Sequence, residues 1–250
     1  MKTVQLANAV TIVLLVAVHI QAQGALEPTR FTVAGAPILF QPKEDFGRNV
    51  STSFGGGGAL LYRLDRTGLL SVRFDLSGVA YCHEKRRVPL SESIGGRVLV
   101  DATTTNSMLV LSVGPELAMP RGAVRPYLNT GFSKLFFRTT SSVKPINDSD
   151  NPIASTTNFS DSANAWFIGG GLRIPFGGRP ALKPISLDIG ARYYRGGLAS
   201  YLQAGGIQDN PDGSISITPL TSRTPQVVYV IGVRYSIPYN TAKQCPRLIC

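Results

Sequence analysis

Residues 69–81 read Leu-Leu-Ser-Val-Arg-Phe-Asp-Leu-Ser-Gly-Val-Ala-Tyr, and the side chains alternate. Leu70, Val72, Phe74, Leu76 and Ala80 are apolar, while Ser71, Arg73, Asp75 and Ser77 between them are polar or charged. A period of two is that of a strand with one apolar and one polar face. The run exceeds the roughly 5–6 residues usual for a soluble strand and suits a tilted bilayer-spanning strand of about 9–11.

Other stretches repeat the pattern. Residues 31–41 alternate weakly around Pro37, and residues 54–64 place Leu60, Tyr62 and Leu64 on one phase. Residues 107–119 set Leu109, Leu111, Val113, Leu117 and Met119 against Ser112, Gly114 and Glu116. In residues 124–137, Leu128, Phe132 and Phe136 oppose Asn129, Gly131 and Ser133, but Lys134 falls on the apolar phase. Residues 163–176, 182–195 and 226–237 complete the set, the last with Val227, Tyr229, Ile231, Val233, Tyr235 and Ile237 on one face. The connections alternate. Tight turns at 65–68, 120–123 and 177–180 separate longer polar stretches at 42–53, 82–106, 138–162 and 196–224. In an up-and-down sheet this puts all the short turns on one edge and all the long loops on the other. The pattern predicts an all-β fold, an antiparallel up-and-down transmembrane β-barrel of about eight strands.

Alternation does not say which face points inward, so a soluble lipocalin-type barrel is the competing arrangement. Gly131, Gly169, Gly171, Gly190 and Gly232 share a phase with the charges. Small residues among large ones suit a crowded interior, whereas on a solvated outer face they only weaken strands. Arg73, Asp75, Glu116, Arg173, Asp188, Arg192 and Arg234 lie on the same phase and mix signs, as a lumen filled by compensating ion pairs requires. Aromatic residues near strand ends, Phe54, Tyr81, Phe136, Trp166, Phe176 and Tyr235, are candidates for interfacial girdles.

Composition adds an export route. Lys2 precedes the apolar run 11–18, and small or polar residues follow around Ala22 to Ala25. This is the layout of a secretory signal peptide, too short to span as a helix. The expected organisation is a signal peptide over 1–24, a barrel over 25–237 and a C-terminal periplasmic tail over 238–250. With 43% hydrophobic and 16% charged residues, bulk disorder is excluded.

The pattern over residues 31–237 resembles the OmpA/OmpX-type outer-membrane β-barrel family. Residues 230–237, Val-Ile-Gly-Val-Arg-Tyr-Ser-Ile, are the most specific part, because they look like the C-terminal signal that such barrels present to the barrel-assembly machinery. Two features depart from the family: a tail follows the last strand, and no peptidoglycan-binding domain does. The resemblance implies an outer-membrane location in a Gram-negative envelope, and because of the second departure the cell-wall tethering of the family's two-domain members is not carried over.

Candidate chemistry is sparse. Beyond the signal, His83 is the remaining histidine; Glu84 is adjacent, but neighbouring strand residues face opposite ways and no nucleophile pattern accompanies them. No catalytic residue, cofactor or metal ligand set is expected. Cys245 and Cys250 are close enough to pair across a short loop in an oxidising compartment, although three cysteines leave the connectivity open. The formal charge of +10 is spread over strands and loops, which argues against nucleic acid. Lys85, Arg86 and Arg87 at the outer rim are candidates for contact with anionic lipid headgroups, and a solvated charge run is the alternative. The reading is an outer-membrane barrel of structural or surface-interaction (adhesin-like) role, with outer-membrane lipids and an unidentified extracellular partner of the long loops. A narrow channel or carrier for small or apolar molecules stands second, and an outer-membrane lipid hydrolase third.

Overall fold

The computed structural model describes residues 29–89, 99–145, 152–176, 184–210 and 215–238. The expected signal peptide, and residues 239–250 of the tail with Cys245 and Cys250, lie outside the described residues.

The alternating stretches all lie in eight long strands: β1 (Thr29–Pro42), β2 (Ser53–Arg63), β3 (Leu70–Pro89), β4 (Leu99–Ala118), β5 (Arg125–Pro145), β6 (Ala154–Phe176) and β7 (Ile185–Gly196), with β12 (Gln226–Pro238) closing the set. Between β7 and β12 lie four short strands, β8 (Leu198–Tyr201), β9 (Ile207–Asp209), β10 (Ile215–Ile217) and β11 (Leu220–Arg223). A short helix, α1 (Glu44–Asn49), joins β1 to β2. The long strands form a closed antiparallel barrel in the order β1-β12-β7-β6-β5-β4-β3-β2. Closure is made by β1, in which Gly35 pairs with Gly58 of β2 on one side and Val233 of β12 on the other.

The burial pattern fixes which face is which. Phe74 and Leu76 are about half exposed, whereas Arg73 between the outward positions Val72 and Phe74 is 3% exposed. The same inversion holds around the ring: Leu111, Phe132, Ile168 and Ile231 face outward, while Ser112, Ser133, Asp188 and Arg234 are buried inside. Tyr81 follows the phase of its strand and is buried, so it is not part of an outer girdle; Phe54, Phe136, Trp166, Phe176 and Tyr235 do face outward.

The wall is uneven. Residues 82–89 and 99–106, expected as a connection, continue β3 and β4, with His83 opposite Thr105 and Arg87 opposite Asp101. Much of the expected loop 138–162 likewise belongs to β5 and β6. Both faces are polar at this height, so the alternation that marks a strand is absent from the sequence, while the threonine-rich segments still favour extended backbone. A bulge between Ala80 and Cys82 marks the change. The segment between β7 and β12 folds across the inner face of this tall wall. The Ser200 backbone N–H donates to Asp161 Oδ2 at 2.6 Å, the Gly205 N–H donates to Glu84 Oε1 at 2.8 Å, and Asn106 Nδ2 donates to the Leu202 carbonyl at 2.9 Å.

At the opposite end, the β2–β3 turn is organised by Asp65. Its carboxylate accepts the backbone N–H groups of Thr67, Leu69 and Leu70 and the Thr67 hydroxyl, and Gly68 takes a φ of 81° that favours glycine. Burial pushes the Asp65 carboxyl up, but the hydrogen bonds from Thr67, Leu70 and Leu69 outweigh it and hold the group below its ordinary value. A carboxyl lowered in the folded state contributes stability above its unfolded value, and the contribution is lost as pH falls through the folded one. Denaturant midpoints measured below about pH 4 should therefore fall more steeply for the wild type than for Asp65→Asn; parallel slopes would show that the turn carries no such linkage.

Candidate functional site

The lumen has two storeys. In the lower one, alternation on β3, β4, β6, β7 and β12 turns seven charged side chains inward, and they form one connected network. Glu116 on β4 accepts from Arg73 Nη1 at 2.9 Å, Arg173 Nη2 at 2.7 Å and Arg234 Nη1 at 3.0 Å. Asp75 is held by Arg73 Nη2 at 2.8 Å and Arg192 Nη1 at 3.0 Å, and Asp188 by Arg234 Nε at 2.7 Å. Every residue that the polar phase assigned to a lumen charge network is present in it.

Two of these pairs close the bore. In the ring order β4 and β12 are four strands apart, as are β3 and β7, so Glu116–Arg234 and Asp75–Arg192 each join opposite walls. Side chains in contact across a diameter divide the bore at that level. Tyr127, which the sequence reading did not single out, lies against the network with the Arg234 guanidinium 4.6 Å from its ring centroid. A Cβ at Gly190 would stand 2.4 Å from the Tyr127 hydroxyl and one at Gly171 2.7 Å, so these glycines provide the room for it. Tyr127 shares the inward phase of β5 with Asn129 and Ser133, so its position was readable from phase alone.

The upper storey corrects the expectation of a lumen filled by charge throughout. Above the network the interior is apolar, built from Ile38, Phe40, Met108, Leu135, Phe137 and Phe167 among others. It is covered by Phe46 of α1 and Tyr201 of β8. Phe46 packs edge-on against Phe40, Phe137 and Tyr201 at centroid distances of 6.0, 5.9 and 5.0 Å, and Asn49 Nδ2 donates to the Tyr201 hydroxyl at 3.3 Å. Phe46 lies in a connection without periodicity, and no sequence signal marks it as a core residue. A cavity of about 30 Å³ remains beside the network, lined by Ala34, Ala36, Gly57, Ala59 and Gly232 with Asp75 and Arg192 at its charged side. That is room for about two waters.

The remaining candidates are scattered. Lys85 Nζ is 2.8 Å from Asp101 Oδ2 and Arg87 Nε is 3.5 Å from Oδ1, so both share one carboxylate on the outer face of the tall wall. Arg86 pairs with Ala102 in the alternate phase and faces the other way. His83 Nδ1 lies 3.1 Å from the Thr105 hydroxyl, and Glu84 is turned inward to Gly205, so the two do not form a dyad. Cys82 is a half-buried free thiol. Among the described residues no group of three or more His, Cys, Asp or Glu is placed to hold a metal ion.

Glu116 is the shared acceptor, and Glu116→Gln removes one of three carboxylates facing four arginines, three of them buried. The substitution should cost about 3–5 kcal/mol, the range for breaking a buried ion pair, read as a lower denaturant midpoint of the refolded protein. A change below 1 kcal/mol would mean that the network relaxes or hydrates without it. No family model and no curated protein sequence matches the chain. The eight-stranded sheet is similar to solved small outer-membrane proteins. Neisserial surface protein A is 12% identical over 83% of this chain and 97% of its own, with a TM-score of 0.42. Ail, the attachment invasion locus protein of Yersinia pestis, is 14% identical over 84% and 99%, with a TM-score of 0.40. A major outer membrane protein from Thermus thermophilus is 15% identical over 84% and 99%, with a TM-score of 0.46.

Proposed function

We propose that the chain is an outer-membrane β-barrel with a structural or surface-interaction role, non-enzymatic and closed to diffusion. The observation that carries this reading is the inversion of the fold: apolar side chains cover the outside of the barrel, and the charges are enclosed and paired. Outward residues of β6 from Trp166 to Phe176 are apolar or glycine over about ten residues. On a strand tilted roughly 40° this is a band about 25 Å tall, the height of the apolar belt of such barrels. In water it would be an exposed patch far larger than soluble monomers tolerate. The long loops and the tall four-stranded wall then stand outside the cell, and the short turns face the periplasm. With the bore crossed by ion pairs and stoppered by Phe46 and Tyr201, the working surface is the external one. The small lumen cavity leaves a narrow carrier of small molecules as the second reading, since its charged side touches Asp75 and Arg192.

Detergent-refolded protein should migrate differently before and after boiling, show a strand-dominated circular dichroism spectrum, and give no steady conductance in planar bilayers. Stable open-channel currents would replace the closed barrel by the carrier reading, and a monomer soluble without detergent would remove the membrane assignment altogether.

Phe74 and Ser77 test the inversion directly. Phe74→Arg places a charge on the outer face and should cost about 2–4 kcal/mol of folding into bilayers near the midplane, while Ser77→Asn, on the enclosed phase, should cost far less. Equal tolerance at both positions would reverse the assignment of faces.

A further inference from the structure

Lys134 breaks the apolar phase of β5, and the register explains what surrounds it. On the outer face it pairs with Asn164 of β6, and the next outward rung below pairs Phe132 with Trp166, which in turn pairs with Arg195 of β7. Arg138 lies four residues further along β5 and pairs with Ser160. Ser133, Leu135, Phe137, Thr139 and Tyr194 beside these cations are buried, so the three cationic side chains point outward. Cross-strand neighbours are about 5 Å apart and diagonal ones about 7–8 Å, so Lys134 and Arg195 both reach the space over Asn164 and Trp166.

Among the described residues, no carboxylate on this face neutralises them. β5 contains no Asp or Glu, and β6 and β7 contain one each. Asp161 is turned inward to the Ser200 N–H, and Asp188 belongs to the lumen network. Among the described residues Lys134, Arg138 and Arg195 form no ion pair, in contrast to Lys85 and Arg87, which share Asp101. The cluster sits at the upper margin of the apolar band, with the rings of Phe132, Trp166 and Phe136 exposed below and beside it. Cations above an aromatic surface match an anionic headgroup with acyl chains beneath it.

We propose that Lys134, Arg138 and Arg195, with Asn164 between them, form a binding site for the phosphate headgroup of an acylated lipid in the outer leaflet. The site rests on the outer-membrane reading and deepens it, and it lies on the outer face of β5 to β7, apart from the Lys85–Arg87 run on β3. Lys134 donates from within the band by extending its amine upward, which accounts for a charge on the lipid-facing phase.

Trp166 is the chain's single tryptophan and lies inside the proposed site. The full mature chain is refolded into phosphocholine bilayers containing a low, equal mole fraction of either phosphatidic acid or phosphocholine with brominated acyl chains. Quenching of Trp166 should indicate a local enrichment of the brominated phosphatidic acid of about fivefold or more, the effect of even one Lys or Arg at an anionic surface. The enrichment should vanish in a Lys134→Gln, Arg138→Gln, Arg195→Gln variant and persist in a Lys85→Gln, Arg87→Gln variant. Equal quenching of the wild type by the two lipids, or enrichment retained by the triple variant, overturns the site and leaves the barrel standing. Should the triple variant fail to fold, single Arg138→Gln and Arg195→Gln variants, each lowering the enrichment, serve the same purpose. No quenching by either lipid would take Trp166 out of the acyl region, and the outer-membrane reading would fall with it.

Discussion

A single carboxylate, that of Glu116, is shared by guanidinium groups from β3, β6 and β12, and the closed lower storey depends on it. Four arginines facing three carboxylates make a dense set of buried charges. Each such charge is tolerable only while its partners are in place, because an unpaired ion in a low-dielectric interior costs several kcal/mol. The requirement reaches outward. Carboxylate and guanidinium meet across the diameter only if the ring has its eight strands and its observed register, so the network and the barrel specify one another.

The two storeys resolve a packing problem differently. The lower one fills a bore with long charged side chains, and glycines at 171 and 190 make space for the Tyr127 ring against them. The upper one uses ordinary apolar packing and needs a cover, because its core would otherwise open to water. Phe46 and Tyr201 supply that cover from two separate connections, and the Asn49–Tyr201 hydrogen bond ties them together.

Much of this was legible in the sequence wherever one face of a strand meets an apolar medium and the other does not. Arg73, Asp75, Glu116, Arg173, Asp188, Arg192 and Arg234 announce themselves by phase, and the structure brings all seven together. Phase fails above the band. Residues 103–106 and 138–142 are polar on both faces, so they read as loops although they are strands. The cap was not legible at all, since the burial of Phe46 follows from a loop closing over it. The Lys85–Arg87 run was conspicuous as a string of cations but is partly neutralised by Asp101, a pairing that only the register shows. The apolar upper storey was missed because inward residues such as Met108, Val110 and Leu135 continue the phase of the charges with a different chemistry.

The unequal height of the wall bears on how such a ring assembles. β3 to β6 are consecutive hairpins, and each pairing joins segments adjacent in the chain. The seam instead joins β1 to β12, with Phe31 opposite Ile237 at a separation of about two hundred residues. Contacts so distant in the chain form slowly, because most of the chain must be confined before they are rewarded. The seam strands are also among the shorter ones, 14 and 13 residues against 20 to 23 for β3–β6. The ring is thus tallest where pairing is local, and the slowest joint, with 11 paired rungs against 19 between β3 and β4, is one of its shorter ones.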